Sequence, residues 1–92
     1  MAIYKYYKEE GSEGIRVTYM IKVSSGDKNS NVILYKFIDH IISNSADLAK
    51  IPDFEKEAEK AEKELKERAV ELSNIIKQLR SMGYKEDVDV GD

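Results

Sequence analysis

The sequence predicts an α+β fold: an N-terminal antiparallel β-hairpin, then an amphipathic helix, then one long C-terminal helix. A three-stranded meander followed by helices is the alternative. Three observations predict it. Residues 15–23 alternate apolar and polar with period 2. The stretch from Pro52 to Met82 is rich in Glu, Lys and Ala and carries helix start and stop signals. The chain of 92 residues holds a single small domain, assigned to residues 1–84, with residues 85–92 as an acidic tail.

The hairpin comes first. Ile15, Val17, Tyr19, Ile21 and Val23 alternate with Arg16, Thr18, Met20 and Lys22, the pattern of a half-buried strand. Residues 2–9 are aromatic enough to be its partner, and Glu9-Glu10-Gly11-Ser12-Glu13-Gly14 supplies turn chemistry between them. A two- or four-residue loop sets Tyr6 opposite Val17, Tyr4 opposite Tyr19 and Ala2 opposite Ile21, so that the apolar faces coincide. A three-residue loop would put Lys5 on the apolar side. The first register is the expected one.

Residues 24–31 are polar and read as a loop. From Val32 to Lys50, polar residues recur at Lys36, His40, Ser43, Asp47 and Lys50, spaced as on one side of a helix. A helix over about 31–44 is therefore expected, capped by Ser30 or Asn31. The β-branched start Val32-Ile33 favours the alternative, a third strand over 32–38.

The last helix is the best marked. Pro52 suits its first turn, Asp53, Glu55 and Glu57 suit the positive end of its dipole, and Gly83 suits an αL stop with Tyr84 folding back on Leu79. Residues 52–82 extend about 46 Å at 1.5 Å per residue. A compact domain of this size is only roughly 25–30 Å across. Part of the helix must overhang. Residues 69–82 present a broad apolar face suited to covering the rest of the fold. Phe54, Ala58, Ala61 and Leu65 form a narrow stripe among charges, so this front half is expected to overhang and to serve as the partner or dimer interface. Glu59–Lys63, Glu62–Lys66 and Glu64–Arg68 are expected to support it as i,i+4 pairs.

Composition narrows function. Charged residues are 36% and apolar ones 41%, and no apolar run approaches the roughly 20 residues of a bilayer span. No apolar signal core opens the sequence, which predicts a cytoplasmic location. There is no cysteine and one histidine, so neither a disulfide framework, a thiolate nucleophile nor a metal site is expected, and no cofactor. His40 beside Asp39 reads as a polar-stripe residue, because helical neighbours do not face one another. Catalysis is not expected.

The net charge is −3, and the imbalance lies in the tail, since residues 1–84 hold 14 acids and 14 bases. Such a chain is a poor general nucleic-acid binder, because that binding rests on phosphate neutralisation. The expected function is that of a non-enzymatic protein-interaction or regulatory protein, acting as a homodimer that masks a surface of another protein or nucleoprotein. Small acidic cysteine-free chains of this kind are common among mobile-element inhibitors of host defence, such as anti-CRISPR proteins. That role would use an acidic surface of Glu9, Glu10, Glu13, Asp87, Asp89 and Asp92 against a cationic channel. The alternative is a small nucleic-acid-binding regulator using Lys5, Tyr7, Arg16 and Lys22 on the outer face of the hairpin, where aromatic and basic groups interleave.

Overall fold

The computed structural model describes residues 2–87. Three antiparallel strands, β1 (Ala2–Glu9), β2 (Ile15–Ser24) and β3 (Ile33–Ile42), form a meander in the order β1-β2-β3. A 3-10 segment, Ser45–Lys50, leads into one helix, α1 (Ile51–Ser81), which lies on one face of the sheet. The result is a two-layer α+β plate with principal extents of 57 × 34 × 15 Å. Its radius of gyration, 18.0 Å, exceeds the roughly 12 Å of a compact chain of this length. No helix among the described residues is long and apolar enough to cross a membrane.

The segment expected as a second helix is instead the third strand of the alternative meander, and it runs over Ile33–Ile42 rather than the expected 32–38. Residues 33–42 alternate between two faces, Leu34, Lys36, Ile38, His40 and Ile42 toward α1, and Ile33, Tyr35, Phe37, Asp39 and Ile41 away from it. Their 3.6-period polar spacing is overridden because β2 offers a free edge, and β-branched residues fit that pleated surface. The chain then turns at Asn44. The Asn44 side chain accepts from the Asp47 N–H at 3.2 Å, and Asp47 accepts from the backbone of Ser43 and Asn44, a reciprocal cap.

The hairpin register also differs by one residue. Lys5 pairs with Tyr19, Ile3 with Ile21 and Tyr7 with Val17. A 3-10 turn at Gly11–Glu13 closes the loop, and the Glu10 N–H donates to the Gly14 carbonyl at 2.9 Å. The register that puts Lys5 on the helix side is the one adopted. It is tolerated because β1 is an edge strand: Lys5 runs its stem along the rim and reaches Glu55 of α1 at 2.7 Å, with 62% of its side chain still exposed. Tyr4 and Tyr6 are thereby turned to the other face.

The core lies between β2 and α1. Tyr19, Ile21 and Val23 are buried against Ala58, Ala61 and Ala69, with Phe54, Leu65, Ile38 and Leu34 packed around them. The stripe expected to face a partner therefore belongs to the chain's own core. Small side chains there let a helix approach closely, and the surface they approach is the sheet. Lys66 donates to the Ser24 carbonyl and Arg68 binds Glu71, so these bases leave the i,i+4 partners expected for them.

The overhang is real and lies at the opposite end. Ile75, Leu79 and Met82 are 41–68% exposed. The loop between β2 and β3 braces one side of this end as far as the last turn: Ser73 donates to the Ser30 carbonyl at 2.7 Å, Arg80 reaches Asn29 and Ser30, and Lys77 pairs with Asp27, while Ile75, Leu79 and Met82 stay exposed. The helix stops as its sequence predicts. Gly83 adopts φ +95°, its N–H donates to the Arg80 carbonyl, and the Tyr84 N–H donates to Leu79 at 3.0 Å, which is a Schellman cap.

Candidate functional site

One helix covers one face of the sheet. Among the described residues nothing covers the other face, here called the bare face, and its residues are set by the two registers in transverse rows. From one end these are Lys8–Arg16–Ile41, Tyr6–Thr18–Asp39, Tyr4–Met20–Phe37, Ala2–Lys22–Tyr35 and Ser24–Ile33. Antiparallel sheets that leave one face to water ordinarily alternate apolar-in and polar-out. In this sheet β2 follows that rule, and β1 and β3 do not. Tyr6, Tyr35 and Phe37 are 53–62% exposed, and Tyr4, Ile33 and Ile41 are exposed beside them. Neighbouring exposed apolar side chains on one face make it the candidate interaction site.

The polar groups on this face are few and placed. The Thr18 hydroxyl donates to Asp39 Oδ1 at 2.6 Å, holding the carboxylate near the middle of the plate. Lys22 lies over the Tyr35 ring, 5.8 Å from its centroid. Arg16 pairs with Glu10 at 3.0 Å at the hairpin end. Lys22 and Asp39 thus lie on opposite sides of the central Tyr4–Met20–Phe37 row, with Lys8 and Arg16 beyond Asp39 at the hairpin end.

The residues singled out by sequence are redistributed. Phe54, Ala58, Ala61 and Leu65 lie in or against the core, so they do not form a free interface. Lys5 and Tyr7 stand on the helix side of the sheet, while Arg16 and Lys22 stand on the bare side, so the four do not make one nucleic-acid surface. The one-residue register shift is the cause. Glu9, Glu10 and Glu13 sit at the hairpin turn, near the start of α1, whereas Asp87 follows the far end of that helix. The acidic groups are therefore not one patch, and Asp89 and Asp92 lie outside the described residues.

Tyr4, Tyr6, Met20, Ile33, Tyr35, Phe37 and Ile41 are the residues that sequence reasoning missed as a site. Their signal was present: between Ile33 and Ile42 both period-2 sets are largely apolar, which reads as a strand with something on each side. The His40 Nε2–H donates to Glu57 Oε1 at 2.7 Å, and the ring stacks on Phe54 under the helix start. Among the described residues no group of three or more His, Asp or Glu side chains is placed to hold a metal ion.

Three titratable groups on the helix side and its flanking loop are shifted by their neighbours. The hydrogen bond and charge of Glu55 raise the Lys5 pKa. Burial, then the Glu55 charge, raises that of Tyr19. The Lys77 hydrogen bond and the Asn29 and Ser30 N–H groups hold Asp27 below the ordinary carboxylate range. These groups tie layers together, and none lies on the bare face. Compared with protein-family models, curated proteins and solved structures, the chain matches none of them.

Proposed function

We propose that this chain is a non-enzymatic interaction protein whose working surface is the bare face of its sheet. The observation that carries the reading is the row structure of that face, in which Tyr4, Tyr6, Ile33, Tyr35, Phe37 and Ile41 are presented together on a rigid three-stranded plate. Aromatic side chains supply large contact area at low entropic cost, and a sheet presents them without reorganisation. The effect on a partner is occupancy of its surface. The narrower role of a mobile-element inhibitor rests on composition alone, and the acidic groups it would use are divided between the two ends of the molecule.

Affinity capture with Phe37→Glu against wild type tests it. The expected result is a set of captured macromolecules lost with Phe37→Glu and kept with a substitution on the outer helix surface, such as Lys63→Glu. Identical capture by all three proteins would overturn the reading.

A second reading has its own observation. Lys22 over Tyr35, with Lys8 and Arg16 on the same face as Tyr4 and Tyr6, combines stacking platforms with phosphate-binding charge. Under it, single-stranded oligonucleotide binds at low salt and Lys22→Ala flattens the salt slope. No binding at low salt excludes it.

A further inference from the structure

We infer that the first occupant of the bare face is the same face of a second copy, the two sheets packing face to face about a two-fold axis. The inference rests on the reading of that face as the working surface. Three observations carry it.

The first is area. Three strands about 4.8 Å apart and about 33 Å long present roughly 450 Å² in projection, so two copies cover about 900 Å² before side-chain relief is added. With relief, that reaches the 1,000 Å² or so that a specific interface needs. The overhanging end of α1 offers a strip one helix wide, and less area.

The second is self-complementarity. Consider an axis lying between the sheets, perpendicular to the strands and passing Met20, the middle residue of the middle strand on this face. It returns Phe37 to Phe37 and sets Ile33 opposite Ile41. It also sets the Tyr35 hydroxyl opposite Asp39, and Lys22 opposite Thr18, which holds that same carboxylate. Lys22 and Asp39 lie on opposite sides of the central row, so this operation brings that pair of unlike charges together twice, while Lys8 and Arg16 fall opposite the uncharged Ser24–Ile33 row. An isologous interface requires that property.

The third is thickness. A plate of 15 Å with one apolar layer exposed lacks a second cover for its sheet. Face-to-face packing at about 10 Å between sheets supplies it and leaves both helices outward.

Sedimentation equilibrium on the full chain tests the inference, with folding of each variant checked by circular dichroism. Wild type is expected to dimerise. Phe37→Glu should weaken the dimer by about tenfold or more, as loss of a central apolar anchor does. Asp39→Lys should weaken it as well, and the double variant Lys22→Glu/Asp39→Lys should restore it, because the pairing is between copies. Leu79→Glu, on the overhang, should leave it intact. A wild-type monomer at hundreds of micromolar overturns the second copy as occupant, while the capture experiment with Phe37→Glu still decides the face itself. A dimer lost with Leu79→Glu and kept with Phe37→Glu overturns both. Because Phe37 and Asp39 are exposed, their substitution leaves the monomer core untouched.

Discussion

His40 lies flat on Phe54, with ring centroids 3.8 Å apart and planes 3° from parallel. The pair joins β3 to the first turn of α1, and the hydrogen bond from His40 to Glu57 one turn on holds the imidazole in the stack. Aromatic pairs contribute about 0.5–1.5 kcal/mol beyond the area they bury. A double-mutant cycle of His40→Ala and Phe54→Ala, read by urea unfolding, should therefore give a coupling of about that size. Additive losses would show that the rings are neighbours without mutual stabilisation.

The two halves of α1 should respond oppositely to truncation. Leu65 packs against the buried cluster of Ile21, Val23 and the three alanines, whereas Ile75 is 44% exposed on the overhang. Leu65→Ala should cost about 2 kcal/mol, the low end for a core leucine, because the site is half-buried. Ile75→Ala should stay within about 0.5 kcal/mol. Thermal unfolding at low protein concentration checks both.

This reverses what the sequence suggests, and the reason is instructive. Reading Ala58 and Ala61 as a weak stripe assumes that burial follows side-chain size. Here the fully buried Ile21 and Val23 supply the bulk from the sheet, and the alanines provide the clearance. The α+β class, the β2 alternation, the helix bounds and the Gly83 cap were legible because each is a local signal. The register was not, and β3 was legible only as the alternative reading of residues 32–38, through the β-branched Val32-Ile33. Lys5 on the apolar side looks prohibitive until Glu55, fifty residues away, is known to receive it. His40 looks like a solvated stripe until Phe54 and Glu57 are placed under it. The bare face was hidden for both reasons, since it exists only when residues 33–42 form a strand and Tyr4 and Tyr6 turn outward.

Acidification should open the loop between β2 and β3. Asp27 accepts from the backbone of Asn29 and Ser30 and pairs with Lys77, contacts that require the carboxylate. Its pKa is lower folded than unfolded. Its contribution is therefore present above the unfolded value of about 3.9, and it is lost as pH falls through the lowered folded value. Amide exchange at Ser30 and the melting temperature should both report loss of protection below about pH 4. Asp27→Asn should remove that part of the acid dependence while lowering stability at neutral pH. An unchanged acid limb in the variant would assign the transition to other carboxylates, with Asp47, also held low by the Ser43 N–H and Lys50, the next to examine.

Gly14 should be the least replaceable turn residue. It enters β2 with φ +131° and ψ −148°, a conformation that L side chains rarely adopt. A Cβ built there would fall inside van der Waals contact with the Ile42 carbonyl at the end of β3. Both obstacles are backbone, so no rotamer change relieves them. Gly14→Ala should cost about 1–3 kcal/mol from the conformation alone, with the clash added. Gly11, at φ +58° with nothing within 4 Å of its Cβ position, is the control. Gly11→Asn should be tolerated, because asparagine enters the left-handed region readily. Since Gly14 spaces the turn that fixes Lys5 opposite Tyr19, loss of that spacing should also expose the register: cross-strand contacts between Lys5 and Tyr19 in NMR spectra of Gly14→Ala should weaken first. If they persist at full strength while stability falls, the register is held by the helix contacts of Lys5 and Tyr19, and the turn follows it.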